Sequence, residues 1–167
     1  DSGRILFQSQ NIDRARIYGA ELSGEFSLQR WLPGLALRAA TYWARGDNRE
    51  DDEPLNSVGP PQAVVAADWT SSSGRSTATL IGTFTRRYSR LDESRNEIFE
   101  APGYASFDLF LSRRVGDRLR LRAGVENLFD KTFWRWANVR GLGPDDPVVP
   151  LLSEPGRSLA MNASMNF

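Results

Sequence analysis

The last twelve residues, Gly156 to Phe167, constrain this chain most. From Leu159 onward they alternate strictly: Leu159, Met161, Ala163, Met165 and Phe167 are apolar, while Ser158, Ala160, Asn162, Ser164 and Asn166 are small or polar. A period of two places the two sets on opposite faces of one β-strand. The stripe ends on an aromatic residue, a feature a water-soluble strand seldom exposes.

The same period recurs upstream. Tyr18, Ala20, Leu22, Gly24, Phe26 and Leu28 alternate in a first strand whose expected start lies as early as Arg4 to Gln8. Further strands are predicted at 35–44, 62–69, 77–88, 105–112 and 118–126, with no convincing helix. Turns fall at Gln29 to Gly34, Thr70 to Gly74 and Val115 to Asp117; long polar loops fall at 45–61, 89–102 and 129–155. Connections therefore read short, long, short, long, short, long. That rhythm is expected of an antiparallel up-and-down transmembrane β-barrel, with short periplasmic turns, long external loops and lipid as the solvent for one face. A soluble sandwich or small barrel remains the alternative.

Composition is consistent with a barrel. No apolar run approaches the roughly 18–20 residues of a membrane helix. The negative mean hydropathy of −0.45 does not exclude a barrel, because alternation hides its apolar residues. The 21 basic and 21 acidic residues cancel, which argues against a nucleic-acid partner. Cysteine and histidine are absent, removing thiolate sites and the commonest general base and metal ligand. No spacing suggests catalysis, and the expected reading is not an enzyme. The first residues do not form a signal peptide, so a targeting segment is expected upstream and the chain is expected to be a fragment.

The 118–126 strand decides which face meets lipid. An arginine near the midplane costs about 2–4 kcal/mol, so Leu119, Leu121, Ala123 and Val125 should point to lipid, and Arg118, Arg120 and Arg122 to the lumen. Pairing Arg114 with Arg118 across a 115–117 turn would set Leu111 opposite Leu121, Phe107 opposite Val125, and Asp108 opposite Gly124, diagonal to Arg122.

Several segments resemble the barrel of TonB-dependent outer-membrane receptors. They are Ala15 to Leu22, Gly124-Val125-Glu126-Asn127-Leu128-Phe129-Asp130-Lys131, and Pro155-Gly156-Arg157 before the last strand. Within that family, Ala44 to Asn48 with Pro54 to Ser57, Phe133 to Trp136, and Val139 to Leu142 are similar to the haem/haemoglobin receptor branch. The resemblance implies about seven strands from the C-terminal part of a 22-stranded barrel spanning residues 1–167, in the bacterial outer membrane. It further implies a plug domain and earlier strands elsewhere in the receptor, an inner-membrane energy-transducing protein, and haem or a haem protein as transported ligand. A siderophore receptor and a passive porin are the other readings. No cofactor is expected in this segment, and no ligating residue carries over, since the chain has no histidine.

Four residues of the third long loop, Trp134, Arg135, Trp136 and Arg140, are ligand-contact candidates, because aromatic residues and arginine are enriched where proteins bind. For the two tryptophans an interfacial aromatic girdle is favoured, and it is the default for Tyr18, Trp31, Trp43, Trp69 and Tyr88. Arg118, Arg120, Arg122 and Arg87 suggest an anion path, but lumenal charges paired with Asp108, Glu126 and the plug are preferred. Glu50 to Glu53 and Asp145-Asp146 lack calcium-loop spacing. Leu159, Met161, Ala163, Met165 and Phe167 resemble the recognition signal of the barrel-assembly machinery, on a strand whose closing partner is expected to lie outside the chain.

Overall fold

A computed structural model describes residues 14–94 and 96–166. It contains β1 (Ala15–Ser27), β2 (Leu35–Asn48), β3 (Glu53–Pro54), β4 (Gln62–Thr70), β5 (Ser76–Thr85), β6 (Tyr104–Val115), β7 (Leu119–Glu126) and β8 (Ser158–Met165). All belong to one antiparallel sheet of order β1-β2-β4-β5-β6-β7-β8, with β3 added to β2. Seven strands match the alternating segments. The eighth, two residues long, was hidden in a polar loop. The expected extension at Arg4 to Gln8 and the terminal Phe167 lie outside the described residues.

Register makes one face continuously apolar. Phe26 pairs with Leu37, and the row continues through Ala67, Leu80, Leu109, Val125 and Leu159. No second layer covers this face among the described residues: Leu22 is 72%, Leu159 73% and Met161 86% exposed. A soluble sandwich would bury these stripes, and in water so large a bare patch is an association site. Aromatics mark both ends. Tyr18 meets Trp43 edge-on at the loop end, and Phe26 stacks on Trp31 near exposed Trp69 at the turn end. Trp43 and Leu35, the partner of Trp69, are separated by about 26 Å of strand at 3.3 Å per residue. At a barrel tilt of 35–45° this is about 20 Å of height, close to the apolar band of a membrane barrel.

The opposite face is mixed. Its rows include Glu21-Tyr42-Gln62-Thr85-Tyr104 and Glu25-Arg38-Ala66-Ile81-Asp108. Here Arg38 forks onto Asp68 at 2.7 and 3.0 Å, and Thr79 donates to the same carboxylate at 2.9 Å.

The β6–β7 hairpin corrects the sequence-based register by two residues. Val115 pairs with Leu119 and Arg114 with Arg120; Leu111 faces Ala123, Leu109 faces Val125, and Phe110 faces Gly124. Phe107 and Asp108 lie beyond this ladder. Odd residues still face odd residues, so the division of faces stands. The strand reaches Val115 because the bend is taken by Gly116, whose φ of +61° suits a residue without Cβ. Arg118 therefore lies in the turn rather than on the strand. At Gly34 (φ +83°) an added Cβ would collide with the Thr70 carbonyl.

β2 continues past Ala44 to Asn48, pairing throughout with β1. Two single turns of helix, α1 (Trp136–Val139) and a 3₁₀ turn (Val149–Leu152), occupy the last long loop. Elements this short carry no sequence period, so the expectation of no helix fails there.

Candidate functional site

The long connections 49–61, 86–103 and 127–157 fold together at one end of the sheet, and most buried apolar side chains lie among them. Tyr88, Ala101, Trp136 and Val139 form a small core, joined by Leu91, Ile98, Phe99, Trp134, Leu142 and Leu152. Trp136 lies 4.9 Å from the Tyr88 ring, and Phe99 meets Trp134 at 5.6 Å. Both indoles are satisfied: Trp134 Nε1 donates to the Val149 carbonyl and Trp136 Nε1 to the Asn56 carbonyl, at 2.8 and 3.0 Å. Burial raises the Tyr88 hydroxyl pKa above the ordinary tyrosine value, with the Arg90 charge opposing it.

The first loop is locked to the other two. Leu55 and Val58 bury themselves against Gly46. Arg90 donates to the Gly46 carbonyl at 2.8 Å and forms an ion pair with Asp47. Asn56 and Asp92 exchange two hydrogen bonds, each 2.9 Å.

The Asn127-Leu128-Phe129-Asp130 box forms the foot of the third loop. Asn127 and Asp130 adopt positive φ, +49° and +55°, which Asn and Asp tolerate better than other side chains. Buried Asn127 donates from Nδ2 to the Lys131 and Pro155 carbonyls at 2.9 and 3.1 Å, while its Oδ1 accepts the Lys131 N–H at 2.8 Å. Asp108 accepts the Asn127 N–H at 2.8 Å, and Asp130 accepts the Arg157 N–H at 2.7 Å. A Cβ at Gly156 would lie 2.7 Å from that Asp130 oxygen, which explains the glycine at this position. The box clasps the outgoing and returning ends of the loop together.

Beneath this cap, over the mixed face, is an open cavity of about 710 Å³. Its floor includes the Tyr42-Gln62-Thr85-Tyr104 row with Thr83 and Ser106, and its wall Phe133, Arg135, Trp136, Arg140 and Glu154. Phe133 stacks on Tyr104 at 4.1 Å. Arg135 is tied to Glu154 at 3.1 Å, whereas exposed Arg140 forms no ion pair among the described residues. The cavity thus offers hydroxyls, an amide and the guanidinium of Arg140, together with the carboxylates of Asp108, Glu126 and Glu154, a mixed polar lining.

The structure redistributes the predicted residues. Trp134 and Trp136 are not girdle residues; both serve the cap core, Trp136 being only 5% exposed, and Trp136 also lines the cavity wall. Tyr88 leaves the girdle for the same reason. Arg135 and Arg140 do reach the cavity. The pairing of Arg118, Arg120 and Arg122 with Asp108 and Glu126 is not formed, because Asp108 serves the Asn127 N–H and Glu126 accepts Ser158 Oγ at 3.1 Å at the loop end of β7. Arg87 pairs with Glu100. Among the described residues no three His, Cys, Asp or Glu side chains converge. Leu159, Met161, Ala163 and Met165 lie on the apolar face of β8, in register with β7. Sequence reasoning missed Tyr42, Gln62, Thr85 and Tyr104. Their common signal was inward parity at the loop ends of four strands, visible only once the registers are known.

Three kinds of comparison bear on the chain. A family model described as TonB dependent receptor-like, beta-barrel, matches residues 1–128. The hemoglobin and hemoglobin-haptoglobin-binding protein of Haemophilus ducreyi is 22% identical over 200 residues, covering 98% of this chain and 21% of that protein. The ferric enterobactin receptor of Pseudomonas aeruginosa is 28% identical over 175 residues, covering 97% and 22%. Among solved structures, the copper transporter OprC superposes with a TM-score of 0.75 at 24% identity, over 92% of this chain and 24% of that one, a likeness of fold. The chain spans about a fifth of the length of these curated relatives.

Proposed function

The chain belongs to the TonB-dependent receptor β-barrel family, and from that premise we propose that residues 1–167 are the C-terminal wall of an outer-membrane receptor importing haem or haem iron. One observation carries the receptor reading: a bare apolar face runs in register across seven strands, while the long loops fold over the opposite face and enclose a cavity. A wall of this kind meets lipid on one side and cargo on the other.

In this reading the apolar rows anchor the wall, and the cap with the rest of the receptor captures cargo outside the cell. A plug domain then rearranges under force from an inner-membrane energy-transducing protein. Haem as cargo is supported by relatives named for haemoglobin, haemoglobin-haptoglobin and hemin. The cavity also suits it, with Arg140 available to a propionate and the Tyr104–Phe133 stack offering an apolar edge. A histidine ligand to the iron would come from outside this chain, which has none.

A ferric-siderophore receptor is the second reading, favoured by the match to the ferric enterobactin receptor. Growth separates the two. The complete receptor carrying this segment is placed in two iron-starved strains that lack their own haem and iron-complex receptors, one of them also unable to make haem. Growth on haem that depends on the energy-transducing protein is the expected result. Growth on a ferric catecholate alone would overturn haem as cargo, and growth without the energy-transducing protein would make the barrel a porin.

A further inference from the structure

Beyond the Tyr18–Trp43 aromatic pair, at the loop end of β1 and β2, the apolar face turns basic. Tyr18 is opposite Arg45 and Arg16 opposite Asp47, and the Arg49 N–H donates to the Arg14 carbonyl at 2.8 Å, which carries the pairing to Arg14 and Arg49. Directly opposed residues share a face, so four arginines and one carboxylate continue the column of Leu37, Ala39, Thr41 and Trp43. Gly46 fixes the direction independently: a Cβ there, of opposite parity, would strike Val58 and Leu55 of the cap. The arginines therefore point away from the cap, and none of them lines the cavity. All four are exposed. Asp47 is shared between Arg45, at 3.3 Å, and Arg90, while Arg14, Arg16 and Arg49 form no ion pair among the described residues. Arg16 folds over the Tyr18 ring, its guanidinium carbon 5.2 Å from the centroid. Of the acidic run that follows, Asp51 accepts from Asn48 Nδ2 at 2.9 Å and Glu53 is opposite Asn48, which has the parity of Gly46. Glu50 and Asp52 lie in the turn beyond the last rung. At the same end β5 and β8 are each flanked by a single arginine, Arg86 and Arg157, whereas β1 and β2 bring four together.

We propose that Arg14, Arg16, Arg45 and Arg49 bind the phosphate groups of an outer-leaflet lipid whose acyl chains lie along the apolar column below Trp43. The inference rests on this sheet being the wall of an outer-membrane barrel. Three arguments select that occupant. The first is height. Arg45 is two residues beyond Trp43, about 7 Å along the strand and about 5 Å in height at a barrel tilt. That is within the layer of about 5–7 Å that headgroups occupy on each side of the hydrocarbon, and the fold of Arg16 over Tyr18 holds its charge near the same level. The second is chemistry: a guanidinium fork matches phosphate oxygens in paired hydrogen bonds. The third is continuity. Below the aromatic pair the same column is apolar, and Gly24 leaves open space opposite Ala39. A molecule carrying both phosphate and acyl chains meets both parts of the column, whereas a free anion meets only the arginines.

The test uses the complete receptor, purified in mild detergent and offered three probes: bisphosphorylated lipid A, the same lipid stripped of its phosphates, and inorganic phosphate. Native mass spectrometry should show bisphosphorylated lipid A retained in preference to the stripped form, and not displaced by inorganic phosphate at matched concentration. This comparison needs no variant. Arg16→Gln with Arg49→Gln should then lower the retention about tenfold, through lost charge-assisted hydrogen bonds. Arg113→Gln, on the same face at the turn end, should leave it unchanged, while heat-modifiable migration shows each barrel folded. Equal retention of the two lipids would overturn the proposal, as would a folded double variant that retains lipid A like the unaltered receptor, or an equal loss in Arg113→Gln. Displacement by inorganic phosphate would make this a free-anion site and overturn the lipid as its occupant. A receptor that fractionates outside the outer membrane defeats the wall reading from which the inference starts. One that resides there yet retains both lipids equally defeats this inference alone.

Discussion

The two ends of the sheet are joined by the same strands and built in opposite ways. At the turn end, β6 and β7 are linked by residues 116–118, and exposed Arg114 and Arg120 oppose each other across the ladder while Arg122 faces only Ser112 and Asn162. At the loop end, residues 127–157 leave β7, make two single turns of helix, bury Trp136 and Val139, and return to β8 through the Asn127 clasp. Strand pairing alone therefore suffices at one end, whereas the other has its own core, indole hydrogen bonds and ion pairs. Rigidity at the loop end is a property of the cap, separable from that of the sheet.

Trp136→Ala should break this comparison most sharply. It removes the centre of the cap core and a buried hydrogen bond, at an expected cost of about 3–5 kcal/mol. Limited proteolysis should then cut within 86–103 and 127–157 while the strands stay protected; strand-wide cleavage would show that cap and sheet unfold together. Leu109→Arg, in the middle of the apolar row, should cost about 2–4 kcal/mol when the complete receptor is unfolded from vesicles by denaturant. Ser112→Arg on the opposite face should cost far less, and equal losses would refute the division of faces.

Asn127→Ala should cost about 2–3 kcal/mol, from the lost side-chain hydrogen bonds and the positive φ. Asn162→Ala, with no such partners, should stay within about 0.5 kcal/mol. Gly116→Ala should cost about 1 kcal/mol, read as a small shift in the same denaturation curve. The Tyr88 hydroxyl should give the cap an alkaline pH response. Because burial raises the folded-state pKa of Tyr88, the neutral hydroxyl stabilises the cap fully below the free tyrosine value of about 10. That contribution is lost as pH rises through the raised value. Ultraviolet titration of Tyr88 against a Tyr88→Phe variant measures it.

Alternation made the sheet legible before any coordinates. Leu159, Met161, Ala163 and Met165 could be placed on one face because the period of a strand is two. The β6–β7 register slipped because two turn placements keep the same parity, and only the backbone at Gly116 chooses between them. Trp134 and Trp136 were misassigned for a different reason. A pair of tryptophans near a strand end looks the same in sequence whether it points to an interface or into a cap. The Asn127 box was conspicuous as a motif, but its role depended on the Pro155 carbonyl, 28 residues away. The cavity floor was the least legible part, because it joins one or two residues from each of four strands.

The clasp at Asn127 has a consequence for how such a receptor changes over time. Both feet of the 127–157 loop are fixed at one point, so the strands on either side do not register the loop's length or contents. The entropy of closing a loop grows slowly, by about 0.6 kcal/mol per doubling of length, so insertions beyond the clasp are tolerated. The loop is a cassette that selection can lengthen, shorten or exchange while β7 and β8 keep their pairing.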